Sequence, residues 1–232
     1  MADNTTRRAL LGLVPLALAG CGSEADQRRA FIDFLRTRVA DRPGLRVPVP
    51  SAEDRRAFGP YAAHWDVIAG FHEAMNAQVA RPYSAMAGLA SFRSLQDLVQ
   101  HRDALATGRE AVGRMRAALA AEFQRAEAAR AALQQPGDLA PVYEAAYDKL
   151  VRAPARAFGA VFPLMEDALA STERLGDTIA ANLVRVQISG STIETREAGL
   201  RTQLDAQLRE VRARGQALQE AQRRLQDMIA GR

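Results

Sequence analysis

The chain has a single cysteine, Cys21, in 232 residues. A lone thiol cannot close an intrachain disulfide, so packing and not covalent staples must hold this fold together. Lysine is almost missing as well: Lys149 stands alone among 31 basic residues, the rest being arginine. Aromatic residues make up only 6% of the chain, with one tryptophan, Trp65. No apolar run approaches the roughly 20 residues that a membrane-spanning helix needs. The longest, from Ala9 onward, is interrupted at Pro15. A P-loop, a G-x-G-x-x-G after a strand, a G-x-S-x-G elbow and an H-E-x-x-H pair are all absent, which removes the common sequence signatures of nucleotide binding, serine hydrolysis and zinc proteolysis.

What is present begins at the N-terminus. Arg7 and Arg8 supply positive charge, Ala9 to Ala17 an apolar stretch, and Leu18-Ala19-Gly20 small residues ahead of Cys21. These are the three parts of a secretory signal. The Leu-Ala-Gly-Cys pattern resembles a bacterial lipobox. That resemblance implies cleavage between Gly20 and Cys21, a diacylglyceryl thioether on the Cys21 sulfur, and a third acyl chain on the new amino terminus. Two or more chains, at about 0.8 kcal/mol per buried methylene, anchor a protein stably. The expected organisation is a signal peptide over residues 1–20 and one mature helical domain over residues 21–232. Thr6 to Leu11 also partly matches a twin-arginine export signal. Gly22, where aspartate would signal retention in the inner membrane, favours the outer membrane.

The formal charge is +4. Loss of residues 1–20 removes two arginines and one aspartate, leaving +3. An excess so small, on arginines interleaved with Glu and Asp, describes a solvated mixed-charge surface and not a nucleic-acid footprint. Modest attraction to anionic headgroups fits it.

The mature sequence reads as all-α. Ser23 with Asp26 and Ser51 with Asp54 are helix-start patterns. Phe31, Ile32, Phe34, Leu35 and Val39 make the first apolar stripe; Leu45 to Pro50 is an extended connector. Gly59-Pro60 breaks the second helical region, which carries Trp65, Ile68, Phe71, Met75 and Val79. Arg81-Pro82 interrupts again, leaving a short piece through Leu89. Ser94 to Gln135 predicts one long helix, with Leu98, Leu105, Val112, Leu119, Ala126 and Leu133 recurring every seven residues. Asp138 caps a further helix, Pro154 opens another with a kink at Pro163, and Ser189-Gly190-Ser191 turns a small β-hairpin within residues 184–195. Thr195 then starts a final helix striped by Leu200, Leu204, Leu208, Val211, Leu218, Leu225 and Ile229. The architecture expected is an elongated bundle of long antiparallel helices.

These segments resemble the YiaF-like bacterial lipoproteins, a family catalogued as a domain of unknown function. The matching residues are Asp26 to Leu35, Phe58-Gly59-Pro60, Asp138 to Tyr143, Lys149, Ala153-Pro154-Ala155 and Gly176 to Ala180. The resemblance implies lipid anchoring, an envelope location and a single family domain. It carries no activity, and no residue but Cys21 takes a role from it.

Candidate chemistry is sparse. His64 and His72 stand eight residues apart and His101 on another helix, a spacing that suits no metal. Ser189 and Ser191 read as turn residues, Glu166-Asp167, Asp33 and Asp54 as solvated or ion-paired carboxylates, and Tyr143, Tyr147, Trp65, Phe71, Phe158 and Phe162 as core. Catalytic, cofactor-binding and metal residues are therefore assigned to none. The leading expectation is a non-enzymatic, periplasm-facing adaptor or scaffold, docking through the leucine seams of Leu98 to Leu133 or Leu204 to Ile229. An amphiphile-binding module lined by Phe158, Phe162, Met165 and Trp65 is the alternative, and a cell-wall or phospholipid hydrolase the third. The partners expected are the membrane, through Cys21, and an envelope protein, with oligomeric state open.

Overall fold

The computed structural model describes residues 23–87 and 94–232. The first helix, α1 (Glu24–Phe34), starts at a reciprocal capping box between Ser23 and Asp26 and runs on through a π-helical turn, Leu35–Ala40. After the extended connector, α2 (Ala52–Phe58) opens on a second capping box, Ser51 with Asp54. A 3₁₀ turn at Gly59–Tyr61 then leads into α3 (Ala62–Met75).

Prolines shape two of the helix junctions. A second π-helical turn, Asn76–Ala80, joins α3 to α4 (Arg81–Ala87), and a third, Asp148–Arg152, joins α7 (Ala140–Tyr147) to α8 (Ala153–Ala181). In both cases the turn precedes an X-Pro step, Arg81-Pro82 or Ala153-Pro154. Proline has no N–H for the carbonyl four residues back and its ring crowds that carbonyl. Widening the turn relieves the crowding: the Arg81 N–H bonds Asn76 and the Ala153 N–H bonds Asp148, each five residues back. Sequence reading treats Arg81-Pro82 as an interruption and Pro154 as the opening of a helix; the structure runs helix into both through π-helical turns. Leu89 lies outside the described residues.

The long helix expected over Ser94 to Gln135 is two helices, α5 (Leu95–Gln100) and α6 (Arg102–Ala131). They are divided at His101, whose ring Nδ1 lies 3.0 Å from the Asp97 carbonyl. Asp138 does not cap α7; it pairs with Arg28 at 3.0 Å. The hairpin is present, β1 (Val186–Ser189) against β2 (Thr192–Thr195), with Ile188 opposite Ile193 and positive φ at Gly190 in its two-residue loop. Thr195 ends β2 instead of starting a helix, and α9 (Ala198–Ala230) begins three residues later.

The long helices run antiparallel. Arg116 meets Glu166 and Arg109 meets Glu173 between α6 and α8; Arg214 meets Asp167 and Arg174 meets Glu210 between α8 and α9. Two apolar cores result. The larger gathers Phe31, Phe58, Trp65, Tyr143, Leu150 and Phe162; the smaller gathers Leu98, Leu105, Leu175, Ile179, Leu200 and Leu204 beneath the hairpin. Half-buried Leu169 touches both. Burial on this scale, at about 25 cal/mol per Å² of apolar surface, replaces the disulfides the chain lacks.

One expectation is overturned here. The seven-residue seam from Leu98 through Leu105, Val112 and Leu119 to Ala126 is buried inside the fold and offers no docking surface. It forms because α6 is packed on α3 along one part of its length and on α8 along the other, so a single stripe meets two partners. Leu200 and Leu204 of α9 are buried likewise, and of that stripe only Ile229 is exposed.

Candidate functional site

The residues richest in specific contacts converge on the junction of α1, α3, α6 and the α7–α8 turn. Along α1, Arg28 pairs with Asp138 and with Glu24, and Glu24 also accepts a hydrogen bond from the Tyr61 hydroxyl at 3.0 Å. Phe31 and Phe34 both pack on Phe58, and Phe34 meets Trp65 edge-on at 5.1 Å. Gly59 holds φ +54, and a Cβ there would meet the Gln27 side chain at 2.4 Å. The positive φ favours glycine, and any Cβ would also push aside the end of the Gln27 side chain. The Phe-Gly-Pro step is thus a docking notch for α1.

The far end of α1 is closed by Lys149. Its ammonium donates to the Val39 carbonyl at 2.9 Å and to the Arg42 carbonyl at 2.5 Å. Helix C-termini leave carbonyls without donors, and a cation there also opposes the negative end of the helix dipole. A lysine ammonium carries three donors on one rotatable group, which suits carbonyls converging from several directions better than a planar guanidinium does. That accounts for the one lysine of the chain.

One turn on, the Leu150 carbonyl would take its α-helical hydrogen bond from residue 154, which is proline. His72 of α3 stands in, with Nε2 2.6 Å from that carbonyl oxygen. Nε2 therefore carries the proton. Burial holds the His72 pKa below the ordinary histidine range, with the bond to Leu150 opposing that shift.

Beside it lies a closed charge network. Glu127 accepts from Arg152 at 2.8 Å and from Arg130 at 3.3 Å; Glu144 accepts from Arg130 at 2.6 Å and from Arg152 at 3.0 Å. Both guanidiniums face the Tyr147 ring, 5.0 and 5.6 Å from its centroid. The Arg152 hydrogen bond holds the Glu127 carboxyl below its usual range. The Tyr147 hydroxyl is buried beside Glu127, and burial raises its pKa well above the tyrosine range. Two carboxylates balanced by two arginines make a clamp between helices.

The residues singled out in the sequence are dispersed. His64 is buried among Phe31, Tyr61 and Tyr143, its Nε2 3.4 Å from the Gln134 carbonyl, and burial lowers its pKa. His101 sits on the surface beside Asp97. Among the described residues no group of three His, Cys, Asp or Glu side chains is placed to hold a metal. Glu166 and Asp167 are tied to Arg116 and Arg214 on separate neighbours. Asp54 is spent in its capping box, and Asp33 is exposed. Ser189 and Ser191 flank the exposed hairpin turn, with no histidine or acid bonded to either hydroxyl among the described residues. Trp65, Phe71, Tyr143, Tyr147, Phe162 and Met165 are core residues, and Phe158 is half-buried against them. Cys21, Leu18 to Gly20, Arg7 and Arg8 lie outside the described residues.

Sequence reading missed Glu122. It is buried, accepts from Gln78 at 3.0 Å and Arg125 at 2.7 Å, and lines an open groove of about 410 Å³ between α3 and α6 with Gly70, Ala74 and Ala126. It also missed the Arg130–Arg152 clamp. Its sequence trace, Glu127 and Arg130 three apart on one helix with Glu144 and Arg152 eight apart on the next, looks like any solvated face.

Comparison with known proteins gives consistent matches. A family model described as "Protein of unknown function (DUF3053)" matches residues 9–226. The "Uncharacterized protein YiaF" of Escherichia coli (strain K12) is 31% identical over 186 residues, covering 78% of each chain. The protein of the same description from Shigella flexneri matches equally. No solved structure matches the chain.

Proposed function

This chain belongs to the DUF3053 family of proteins of unknown function, and we propose that it is a lipid-anchored, periplasm-facing envelope protein acting as an adaptor, its mature domain running from Cys21. The observation that carries the reading is Leu18-Ala19-Gly20-Cys21 placed two residues before the capping box that starts α1. Acyl chains on Cys21 would be two residues in sequence from Ser23, the N-cap of α1. The family match begins at Ala9, so the apolar run and the cysteine both belong to the matched span. No helix among the described residues is long and apolar enough to cross a membrane.

The adaptor part rests on surface and core together. With the α6 seam internal, a protein partner would meet the mixed-charge outer faces, or the far end of α8, where Val184 is 98% exposed beside the hairpin. The amphiphile-binding alternative would need Trp65, Phe162 and Met165 to leave a packed core. Outer-membrane sorting follows from Gly22 and belongs to the same proposal.

Mass spectrometry of the N-terminal peptide, on protein extracted from membranes, tests the anchor. A diacylglyceryl group and amide-linked acyl chain on a chain starting at Cys21 are expected, with Cys21→Ala released from the membrane fraction. A free Cys21 thiol in the mature protein would overturn it. In-cell crosslinking of the wild type beside Cys21→Ala tests the adaptor reading: it requires a stoichiometric envelope protein whose recovery depends on the anchor.

A further inference from the structure

The excess positive charge of this chain is concentrated in one short segment. Arg36, Arg38, Arg42 and Arg46 against the single acid Asp41 give residues 36–46 a net +3, the entire excess of the chain beyond residue 20. All four arginines are exposed. Among the described residues none forms a salt bridge, although Asp54 faces Arg38 and the Arg42 side chain donates to the Thr37 carbonyl. Elsewhere the arginines are mostly paired: Arg109, Arg116, Arg152 and Arg174 all reach carboxylates on neighbouring helices.

The segment is also held in place. The Leu45 N–H donates to the Ile229 carbonyl at 2.9 Å, Gly44 abuts Gly231, Lys149 binds the carbonyls of Val39 and Arg42, and Leu45 and Val47 pack on the core. Within this fixed frame stand Val49, 93% exposed, and Ile229, 41% exposed, two of the four large hydrophobic residues exposed among the described residues. Exposed arginines without salt bridges, on a segment that also carries exposed Val49 and is joined to Ile229 through Leu45, are the chemistry of a surface that sits at a bilayer interface, charge on the headgroups and methyls at the acyl boundary.

We propose that the face formed by residues 36–49 and the last turn of α9 binds anionic phospholipid headgroups. The proposal takes its setting from the lipid-anchor reading. Residues 24–40 span about 25 Å at helical rise, so Cys21 at one end of α1 and this face at the other give two points of attachment and lay α1 along the bilayer. An acyl chain sets only how far the body can be from the membrane; the second contact sets which way it faces.

The test needs no acyl chain. Every packed residue described lies beyond residue 22, so a chain of residues 21–232 with Cys21→Ser keeps both cores. Its sedimentation is measured with vesicles of phosphatidylcholine alone and of phosphatidylcholine with phosphatidylglycerol, at low and high salt. Binding to the anionic vesicles only, removed by salt, is expected. The R36Q/R46Q variant should bind about 25-fold more weakly and R36Q/R38Q/R42Q/R46Q at background, roughly a fivefold loss per arginine. Unchanged circular dichroism and melting show that the variants are folded, which the exposed positions favour. No binding by the parent chain, equal binding to both vesicles, or retained binding by the quadruple variant would overturn the proposal. So would displacement by polyglutamate with no dependence on Val49→Ser, which would reassign the face to an acidic protein. Failure of the anchor reading shows instead as an unmodified Cys21 by mass and leaves this assay unaffected.

Discussion

Replacing His72 by phenylalanine removes a hydrogen-bond donor from a carbonyl whose α-helical partner position is a proline. The Leu150 carbonyl looks toward residue 154 for its α-helical bond and meets proline, and His72 supplies Nε2 at 2.6 Å. Phenylalanine keeps the ring volume and its contacts while leaving the oxygen unpaired. Losing a buried hydrogen-bond partner costs about 1–3 kcal/mol. At roughly 3 °C per kcal/mol for a domain of this size, the melting temperature falls by about 3–9 °C. The decisive variant is His72→Phe combined with Pro154→Ala. Alanine restores an N–H to position 154 and lets the π turn relax toward an α-helical ladder, so the double variant should regain at least half the loss. A double-mutant cycle from urea denaturation then gives a coupling energy of about 1 kcal/mol or more between residues on different helices. Additive effects within error, or a His72→Phe variant as stable as the parent, would refute the claim that the histidine stands in for the donor the proline lacks.

Three further outcomes are expected at the same junction. Lys149→Met should destabilise the fold by about 2 kcal/mol, as the carbonyls closing α1 lose a charged donor, with hydrogen exchange rising first in residues 36–46. Gly59→Ala should cost about 1–3 kcal/mol through its positive φ and the clash with Gln27, and adding Gln27→Ala should return only the clash, as urea midpoints will show. Below the ordinary histidine pKa of 6.5, stability should decline with pH, because burial lowers the pKa of both His64 and His72 and the unfolded chain then binds the extra protons. The slope is at most about 1.4 kcal/mol per pH unit for each histidine. Denaturation curves at successive values between neutrality and pH 5 measure it before the carboxylates titrate, and His72→Phe should make it shallower.

The helical architecture was legible because it rests on local chemistry. Ser23 with Asp26 and Ser51 with Asp54 each satisfy an N–H within one turn, and both form the capping boxes their spacing announces. The hairpin was legible for the same reason: its strands, its turn and Gly190 lie within ten residues. What stayed hidden depends on residues distant in sequence. The α6 leucine seam looks the same whether it faces another protein or the interior of its own; only the arrival of α3 and α8 buries it. Arg130 and Arg152 read as solvated charges until α6 and α7 bring Glu127 and Glu144 to both. Pro82 looks like a helix end because propensity counts the lost N–H, and Pro154 like a helix start; the fold runs helix into both, and at Pro154 a histidine 82 residues away donates to the Leu150 carbonyl. The basic segment at residues 36–46 could be counted from the sequence alone, but its meaning could not, since an unpaired arginine is recognised only when the carboxylates of the other helices are seen to be elsewhere. Function is harder to read here for the same reason: the pattern at Leu18 to Cys21 is local in sequence, whereas a recognition surface is assembled from distant segments.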